Sequence, residues 1–182
     1  MFAGAEAEGY DAKIRARVPG YEAMHEIATA ALVAAVPAGG EVLVVGAGGG
    51  EELIALATAS PAWTFTALDP APDMIALAQR RVASAGLSER VRFHTGFVAD
   101  LPEPSRFDAA TAILVSHFLP DDGARALFFG DIGRRVRAGG LLIVADLMAG
   151  LRVRPAYRAW LHGVGLDEAM LARMEARMAK EF

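Results

Sequence analysis

A glycine-rich turn between two predicted elements carries the clearest chemical signal in this sequence. Residues 41–52 read E-V-L-V-V-G-A-G-G-G-E-E, so an apolar stretch at 42–45 is followed by four glycines within 46–50. The apolar stretch predicts a strand buried on both faces, and the residues after Gly50 predict a helix. Glycines at such a junction permit positive φ angles and close approach of a ligand, and the helix N-terminus adds unpaired N–H groups. The spacing therefore predicts a nucleotide-cofactor site at the carboxyl edge of a parallel sheet.

Two carboxylates narrow the class of cofactor. The third glycine of a dinucleotide fingerprint would fall on Glu51, and the sequence contains no Gly-Lys-Ser/Thr of a phosphate-binding loop. Glu51 also places negative charge where a pyrophosphate would lie at the helix N-terminus. Asp69 lies 23 residues after Gly46, at the end of the next predicted strand, where a carboxylate can accept hydrogen bonds from ribose hydroxyls. The simpler alternative for Asp69 is a cap on the following helix. We expect a cofactor with a ribose and little negative charge near the glycines.

The surrounding pattern predicts a sheet of parallel strands joined by helices. Short apolar runs alternate with segments of helical periodicity, which is typical of right-handed crossovers. The predicted strands are 42–45, 63–68, 91–95, 110–115 and 141–145. The predicted helices include 10–17, 21–36, 73–85 and a segment from about 120 to 136, and residues 154–182 look helical throughout. The residues at 138–140 are predicted as a turn before the last strand.

Composition limits the partners and the compartment. The chain has 182 residues and a net charge of −4, which argues against broad electrostatic capture of nucleic acid. It has no cysteine, and its histidines lack ligand spacing, so we expect no metal site. The N-terminus has no secretion-signal pattern, and no apolar run reaches the roughly 18–20 residues that cross a bilayer. We expect a cytoplasmic protein that does not bind membranes.

Four segments resemble the class I methyltransferases that depend on S-adenosylmethionine. They occur in the order expected for that family and cover about residues 40–148: V-L-V-V-G-A-G-G-G, A-L-D-P-A-P-D-M-I-A-L-A, F-D-A-A-T-A-I-L-V-S-H-F-L-P and R-A-G-G-L-L-I-V-A-D-L. The resemblance implies a Rossmann-like, doubly wound parallel sheet with strand order 3-2-1-4-5 in three α/β/α layers. It implies S-adenosyl-L-methionine as the cofactor and methyl transfer to an acceptor, which we expect to be a small molecule.

The resemblance also implies roles for particular residues. Gly46, Gly48 and Gly50 would flank the methionine moiety of the cofactor. Asp69 would bind its ribose, and Met74 would cover one face of its adenine. The full set of cofactor-binding residues implied is Gly46, Ala47, Gly48, Gly50, Asp69, Pro70, Met74, Gly96, Phe97 and Val98.

Two further residues are candidates for acid–base chemistry. His117 follows the fourth predicted strand, where substrate and methyl group meet in the family that the chain resembles. Asp146 ends the fifth predicted strand and faces the same crevice by topology. Either side chain could remove a proton from the acceptor. The alternatives are a histidine that is merely packed and an aspartate that caps a helix.

Three departures from the family pattern leave open an alternative in which the chain binds the cofactor without catalysis. Many members have an acidic residue where this chain has Val44, and many have Gly-Asp where this chain has Gly96-Phe97. The family sheet usually has two more strands, which this chain is predicted to lack. A sheet edge exposed by that lack would favour a homodimer or coverage by the C-terminal helices. The alternative function is therefore an inactive cofactor-binding or regulatory module that dimerises through that edge or those helices. A nicotinamide-dependent oxidoreductase is a weaker third alternative.

The sequence predicts three parts within one compact domain. Residues 1–39 form a helical lid, residues 40–148 the Rossmann-like cofactor domain, and residues 149–182 a C-terminal helical segment. Residues 10–21 faintly resemble the lid of carboxy-S-adenosylmethionine synthases, a subgroup with a helix before the fold. Tyr10 and Tyr21 would then close over the cofactor.

Overall fold

A parallel sheet lies at the centre of the computed structural model, which describes residues 10–103, 106–147 and 154–181. In these residues five strands pair in the order β3-β2-β1-β4-β5, and all neighbours are parallel. The strands are β1 (Glu41–Val45), β2 (Thr64–Asp69), β3 (Val91–Thr95), β4 (Phe107–Ile113) and β5 (Val136–Ala145). The predicted fold class and strand order are confirmed.

Helices precede, connect and follow the strands. They are α1 (Tyr10–Arg17), α2 (Tyr21–Ala35), α3 (Glu51–Ala59), α4 (Pro72–Ser84), α5 (Ala124–Arg135), α6 (Arg154–Gly163) and α7 (Glu168–Glu181). Short 3₁₀ turns at Ser88–Arg90, Val98–Asp100 and Ser116–Phe118 lie in the loops. Among the described residues, no helix has the length and apolar character needed to span a membrane.

The central strand β1 is buried on both faces, which gives the fold its three layers. Val42 and Val44 belong to a core cluster with Leu53 of α3, whereas Leu43 and Val45 pack in a second cluster with Ile132 of α5. A strand covered by helices on both sides loses the alternation of polar and apolar residues. This explains why residues 42–45 read as a continuous apolar run.

The last two strands begin earlier than the sequence predicts. β4 starts at Phe107, because Phe107 pairs with Val136 before the register shifts. Residues 138–140, predicted as a separate turn, are an irregular stretch within β5, and Gly139 there has a φ of 79°. β4 ends at Ile113, since Leu114 turns to a φ of 57° and donates its N–H to Ala145 O at 2.7 Å. This sharp turn directs the chain after β4 back over the carboxyl edge.

Candidate functional site

A cavity of about 510 Å³ opens at the carboxyl ends of the central strands. The glycine turn after β1, the ends of β2 and β4 and helix α2 surround it. The described lining residues are Ile14, Tyr21, His25, Val45, Gly46, Ala47, Gly48, Gly49, Glu51, Glu52, Leu68, Asp69, Pro70, Ala71, Met74, Phe97, Val98, Ile113, Leu114, Val115, Phe118, Leu119 and Phe128. Eight of the ten residues predicted to bind a cofactor are in this lining. Gly50 and Gly96 lie outside it.

The glycine turn is shaped so that its backbone borders the cavity. Gly46 and Ala47 donate their N–H groups to Leu68 O at 2.8 and 2.9 Å, which ties the turn to β2. A Cβ on Gly46 would lie 2.3 Å from Val115 Cγ2, whereas a Cβ on Gly48 would have only Gly46 O near it, at 4.0 Å. Gly48 has a φ of 50° and lines the cavity. The space above Gly48 is therefore open for a ligand that approaches the backbone.

Gly50 serves the packing of the helices. A Cβ there would lie 3.0 Å from Ala78 Cβ and 3.1 Å from Ala78 Cα, so α3 can approach α4 closely only with glycine at this position. Its φ of 84° also favours glycine. Gly46, Gly48 and Gly49 thus border the cavity, whereas Gly50 permits close helix packing.

Asp69 connects the glycine turn to the start of α4. Its carboxylate accepts hydrogen bonds from Gly48 N–H at 3.0 Å and from Ala71 N–H at 2.8 Å. Burial raises the pKa of Asp69, although these two hydrogen bonds oppose the rise. A carboxylate has about four lone-pair sites, so Asp69 can accept further hydrogen bonds from the cavity. Both interpretations from the sequence, capping and ligand binding, are compatible with this geometry.

Helices α1 and α2 contact the glycine turn through Glu51. Arg15 forms an ion pair with Glu51, and Tyr21 Oη donates to Glu51 Oε2 at 3.3 Å. The Arg15 guanidinium also lies 5.3 Å from the centre of the Tyr21 ring. His25 lines the cavity next to Tyr21, and its pKa is lowered by burial and by the nearby Arg15. Tyr21 thus lies where the sequence predicts a lid, and the side chain of Tyr10 is outside the described residues.

The other end of the cavity is largely apolar. Met74 is buried at 2% exposure, and Pro70 and Val98 lie near it in the lining. Phe97 also lines the cavity, although 62% of its surface is exposed. Its backbone N–H donates to Asp100 Oδ2 at 2.8 Å. Phe97 therefore offers an aromatic face to the cavity at the position where many relatives are expected to have an aspartate.

Glu52 is a buried carboxyl group that the sequence reasoning did not single out. It lines the cavity from the first turn of α3, and burial raises its pKa to about 7, with partial opposition from the Thr111 hydroxyl. Neither Glu52 Oε1 nor Thr111 Oγ1 has a hydrogen-bond partner among the described residues. A buried polar atom without a partner is costly, so it calls for a ligand or another explanation.

His117 and Asp146 meet at the ends of adjacent strands β4 and β5. His117 Nδ1 lies 2.5 Å from Asp146 Oδ1, and Asp146 Oδ2 accepts from Ser116 Oγ at 2.5 Å and from His117 N–H at 3.1 Å. The Leu147 N–H donates to Asp146 Oδ1 at 2.7 Å. The carboxylate is therefore surrounded by donors.

These donors set the protonation state of the pair. Burial would raise the pKa of Asp146, but hydrogen bonds from His117, Ser116 and Leu147 lower it to about 2. An ionised carboxylate accepts hydrogen bonds only, so Nδ1 of His117 carries a proton and donates it to Asp146 Oδ1. The His117 ring lies 4.1 Å from the ring centre of Phe118, which lines the cavity. His117 itself is not among the described lining residues, but its ring contacts Phe118, which is.

The basic residues at the end of α5 differ from their predicted role. The sequence pattern Arg134-Arg135-Val136-Arg137 predicts a solvated helix end. Arg135 is instead 6% exposed and donates to Leu101 O at 2.6 Å and Pro102 O at 2.8 Å. Arg137 pairs with Asp108 at 2.5 Å. Arg135 thus stabilises the loop before β4, and the prediction is wrong for this residue, whereas Arg134 and Arg137 are exposed.

His25 of α2 and Glu52 of α3 line the cavity but were not predicted from the sequence. His25 lies one helical turn after Tyr21, and Glu52 lies two residues after Gly50, so their positions offered a signal. Which helix face would turn toward the cavity depends on tertiary packing. Among the described residues, no group of three or more side chains of metal-binding type is gathered together.

Comparisons with known proteins agree with this geometry. A family model described as a methyltransferase domain matches residues 42–140. The 27-O-demethylrifamycin SV methyltransferase of Amycolatopsis mediterranei is 30% identical over 155 residues, which cover 79% of this chain and 56% of that protein. The chain thus spans little more than half the length of this curated relative.

Solved structures share the fold. An amino pentose methyltransferase from Micromonospora echinaspora, solved with S-adenosylmethionine bound and involved in calicheamicin biosynthesis, has a TM-score of 0.63 at 25% identity. The match covers 81% of this chain and 58% of that one. A methyltransferase from Geobacter sulfurreducens in complex with S-adenosyl-L-homocysteine has a TM-score of 0.57 at 20% identity, covering 77% and 55% of the two chains.

Proposed function

The chain belongs to the family of methyltransferase domains, and we propose that it transfers a methyl group from S-adenosyl-L-methionine to a small acceptor. The observation that carries this proposal is the charge of the cavity above Gly48. Its described lining contains three carboxyl groups, those of Glu51, Glu52 and Asp69, and no lysine or arginine. S-adenosylmethionine has a sulfonium and an ammonium group against one carboxylate, so it is a cation that the carboxylate of Asp69 attracts, as does that of Glu52 when it is ionised, whereas Glu51 is paired with Arg15. The pyrophosphate of a nicotinamide dinucleotide would be repelled.

The lining residues fit this cofactor along its length. We propose that the backbone of Gly46, Ala47 and Gly48 borders the methionine moiety, because a Cβ at Gly48 would fill that space. Asp69 would accept hydrogen bonds from the ribose hydroxyls with its remaining lone pairs. The adenine would lie in the apolar end. The residues proposed to bind it there are Pro70, Met74, Phe97 and Val98, with Gly50 and Gly96 contributing through the shape of the backbone.

When bound, the cofactor supplies an electrophilic methyl group for an acceptor nucleophile. The protein must align that acceptor, exclude water and accept a proton where the acceptor carries one. We propose that His117 accepts the proton at Nε2 and that Asp146 is its positioning residue. Asp146 holds the tautomer through Nδ1–H and stabilises the imidazolium that forms.

The acceptor is proposed to be a small molecule that enters over Phe118 and Phe128. By their descriptions, two of the relatives named above methylate 27-O-demethylrifamycin SV and an amino pentose. The wall near His117 is built from Val115, Phe118, Leu119 and Phe128, all without charge. An apolar wall suits an uncharged organic acceptor better than a phosphate-rich nucleic acid.

We also propose a homodimer and a cytoplasmic location. The outer edge of β5 has no paired strand among the described residues, and Val144 on β5 is 44% exposed. A second copy that covers this edge would remove a site of non-specific strand pairing. The cytoplasmic location rests on the supply of the cofactor and on a chain without cysteine. The division into a lid at 1–39, a cofactor domain at 40–148 and a C-terminal segment at 149–182 stays a proposal, and its ends fall outside the described residues.

Turnover with a panel of small hydroxylated and amine acceptors tests this function. The protein is incubated with S-adenosylmethionine, and S-adenosylhomocysteine is quantified with and without each acceptor. We expect acceptor-dependent product formation that falls at least 100-fold in His117→Asn, while cofactor affinity stays within twofold. In Asp146→Asn we expect a smaller fall and an altered pH profile, since the imidazolium loses its counter-ion.

Two results would contradict the proposal. Cofactor binding without turnover across the panel would favour the inactive binding or regulatory module. Unchanged turnover in His117→Asn would remove His117 from the reaction and direct attention to His25, the histidine that does line the cavity.

A further inference from the structure

We infer that Glu52 and Thr111 form a subsite for the α-ammonium group of the cofactor, with the carboxylate supplied by helix α3. This inference rests on the proposed function, because it assigns one part of the proposed ligand to one pair of side chains. No sequence motif or resemblance pointed to Glu52. The observation behind it is a pair of buried polar groups, both without partners, beside the glycine turn.

The position of Glu52 is well defined. It lies in the first turn of α3, two residues after Gly50, and it is one of the residues that line the cavity. Thr111 lies on β4, is fully buried and is the register partner of Val44 on β1. The two side chains face one another, yet Glu52 Oε1 and Thr111 Oγ1 make no hydrogen bond of normal geometry.

Energetics favour a ligand for this pair. A buried carboxyl oxygen and a buried hydroxyl without hydrogen-bond partners each carry an uncompensated desolvation cost. The helix N-terminus favours the ionised carboxylate, but burial raises the pKa of Glu52 to about 7. A cation in the cavity would restore the ionised form, and its N–H groups would satisfy Oε1.

The other two carboxyl groups of the lining are already engaged. Glu51 is paired with Arg15 and accepts from Tyr21 Oη. Asp69 accepts from two backbone N–H groups that connect the glycine turn to α4. Glu52 is therefore the lining carboxylate that a cationic group of a ligand can pair with at least cost. The ammonium has three N–H donors, which match a carboxylate and a hydroxyl, whereas a sulfonium has none.

A ligand comparison separates this assignment from a general role of Glu52 in the shape of the cavity. S-adenosylhomocysteine keeps the ammonium and lacks the sulfonium, whereas 5′-methylthioadenosine lacks the whole amino-acid portion. Their dissociation constants are measured by calorimetry, directly or by displacement, on the wild-type chain and on Glu52→Gln. Gln keeps the volume of Glu and removes the charge. Glu26→Gln, at an exposed site on α2, is the control for net charge.

We expect Glu52→Gln to weaken S-adenosylhomocysteine at least tenfold and 5′-methylthioadenosine less than twofold, with no change for either ligand in Glu26→Gln. If Glu52→Gln fails to fold, Glu52→Met keeps a similar volume and serves in its place. Equal losses for both ligands would overturn the inference, since Glu52 would then only shape the cavity. No loss for either ligand would overturn it as well.

Three further outcomes distinguish the inference from the proposed function. A loss for S-adenosylmethionine at least fivefold larger than the loss for S-adenosylhomocysteine would overturn the ammonium assignment in favour of the sulfonium. Failure of the wild-type chain to bind any adenosyl ligand would overturn the proposed function, and the inference with it. Binding by the wild-type chain with unchanged affinity in Glu52→Gln would overturn the inference alone.

Discussion

Replacement of Asp69 by asparagine tests whether one side chain both holds the glycine turn and binds the cofactor. The carboxylate accepts from Gly48 N–H at 3.0 Å and from Ala71 N–H at 2.8 Å. Asparagine has a single acceptor oxygen, so its NH₂ group must face one of these two donors. One backbone N–H is then left without a partner in a partly buried site.

The magnitude follows from that lost hydrogen bond. A buried donor without a partner costs about 1–3 kcal/mol, and the second hydrogen bond loses its charge-assisted part. Relief from burying a charge offsets some of this, because burial raises the pKa of Asp69. We expect a net loss of about 2 kcal/mol in the free energy of unfolding. For a chain of this size that corresponds to roughly 4–8 °C in the midpoint of thermal unfolding.

Two assays on the same samples separate the two roles. Urea unfolding followed by circular dichroism gives the loss of stability, and calorimetry with S-adenosylhomocysteine gives the loss of affinity. A charged hydrogen bond to a ribose hydroxyl is worth about 1.5–3 kcal/mol, so affinity should fall about 10- to 150-fold. Asp121→Asn is the matched control, since Asp121 is exposed and meets Arg125 only at 3.9 Å. Stability within about 0.3 kcal/mol of wild type in Asp69→Asn would refute the reasoning about the glycine turn.

The same cavity leads to predictions for three other substitutions. Gly48→Ala should lower the free energy of unfolding by only about 1–2 kcal/mol, because of the positive φ, yet abolish cofactor binding in calorimetry. Gly50→Ala should lower the free energy of unfolding further, because its Cβ meets the backbone of α4. Equal cofactor binding by Gly48→Ala and wild type would contradict this. Glu52→Gln should raise stability at pH 8. The folded-state pKa of Glu52 is raised from 4.5 to about 7, so its contribution to stability is lost as pH rises through that interval. The stability of Glu52→Gln relative to wild type should therefore increase by about 2–3 kcal/mol between pH 5 and pH 8 in urea unfolding; a constant difference would mean that the carboxyl is not held uncharged.

The sequence predicted those parts of the fold that depend on local pattern. The apolar run at 42–45 and the glycines after it are a local signature, and they identified both β1 and the turn beside the cavity. Asp69 was found for the same reason, because the end of β2 lies next to the end of β1 in a parallel sheet.

Features that depend on contacts distant in sequence were not predicted. The start of β5 is set by the pairing of Val136 with Phe107, and no signal near residue 136 indicates it. The local sequence predicts that Arg135 is solvated at a helix end. Its burial depends on the carbonyl groups of Leu101 and Pro102, which are distant in sequence. The local sequence predicts that Glu52 is an ordinary glutamate in the first turn of a helix. Its burial depends on which face of α3 turns toward Thr111.

The contact between His117 and Asp146 was predicted only in part. Each residue follows a predicted strand, and adjacency of β4 and β5 brings them together at the same edge. Their separation of 2.5 Å and the hydrogen bonds that Asp146 accepts from Ser116, His117 and Leu147 are visible only in the structure. The sequence thus predicted that the two residues are neighbours and left open which of them is the base.

The most direct test of the central claim is a thermal-shift comparison of S-adenosylmethionine, S-adenosylhomocysteine and NAD, each in large excess. A ligand at about 100 times its dissociation constant stabilises the folded chain by about 2.7 kcal/mol, which is several degrees here. A cavity with three carboxyl groups and no lysine or arginine in its described lining predicts a shift with the two adenosyl ligands and none with NAD. A shift with NAD alone, or with none of the three, would contradict the account.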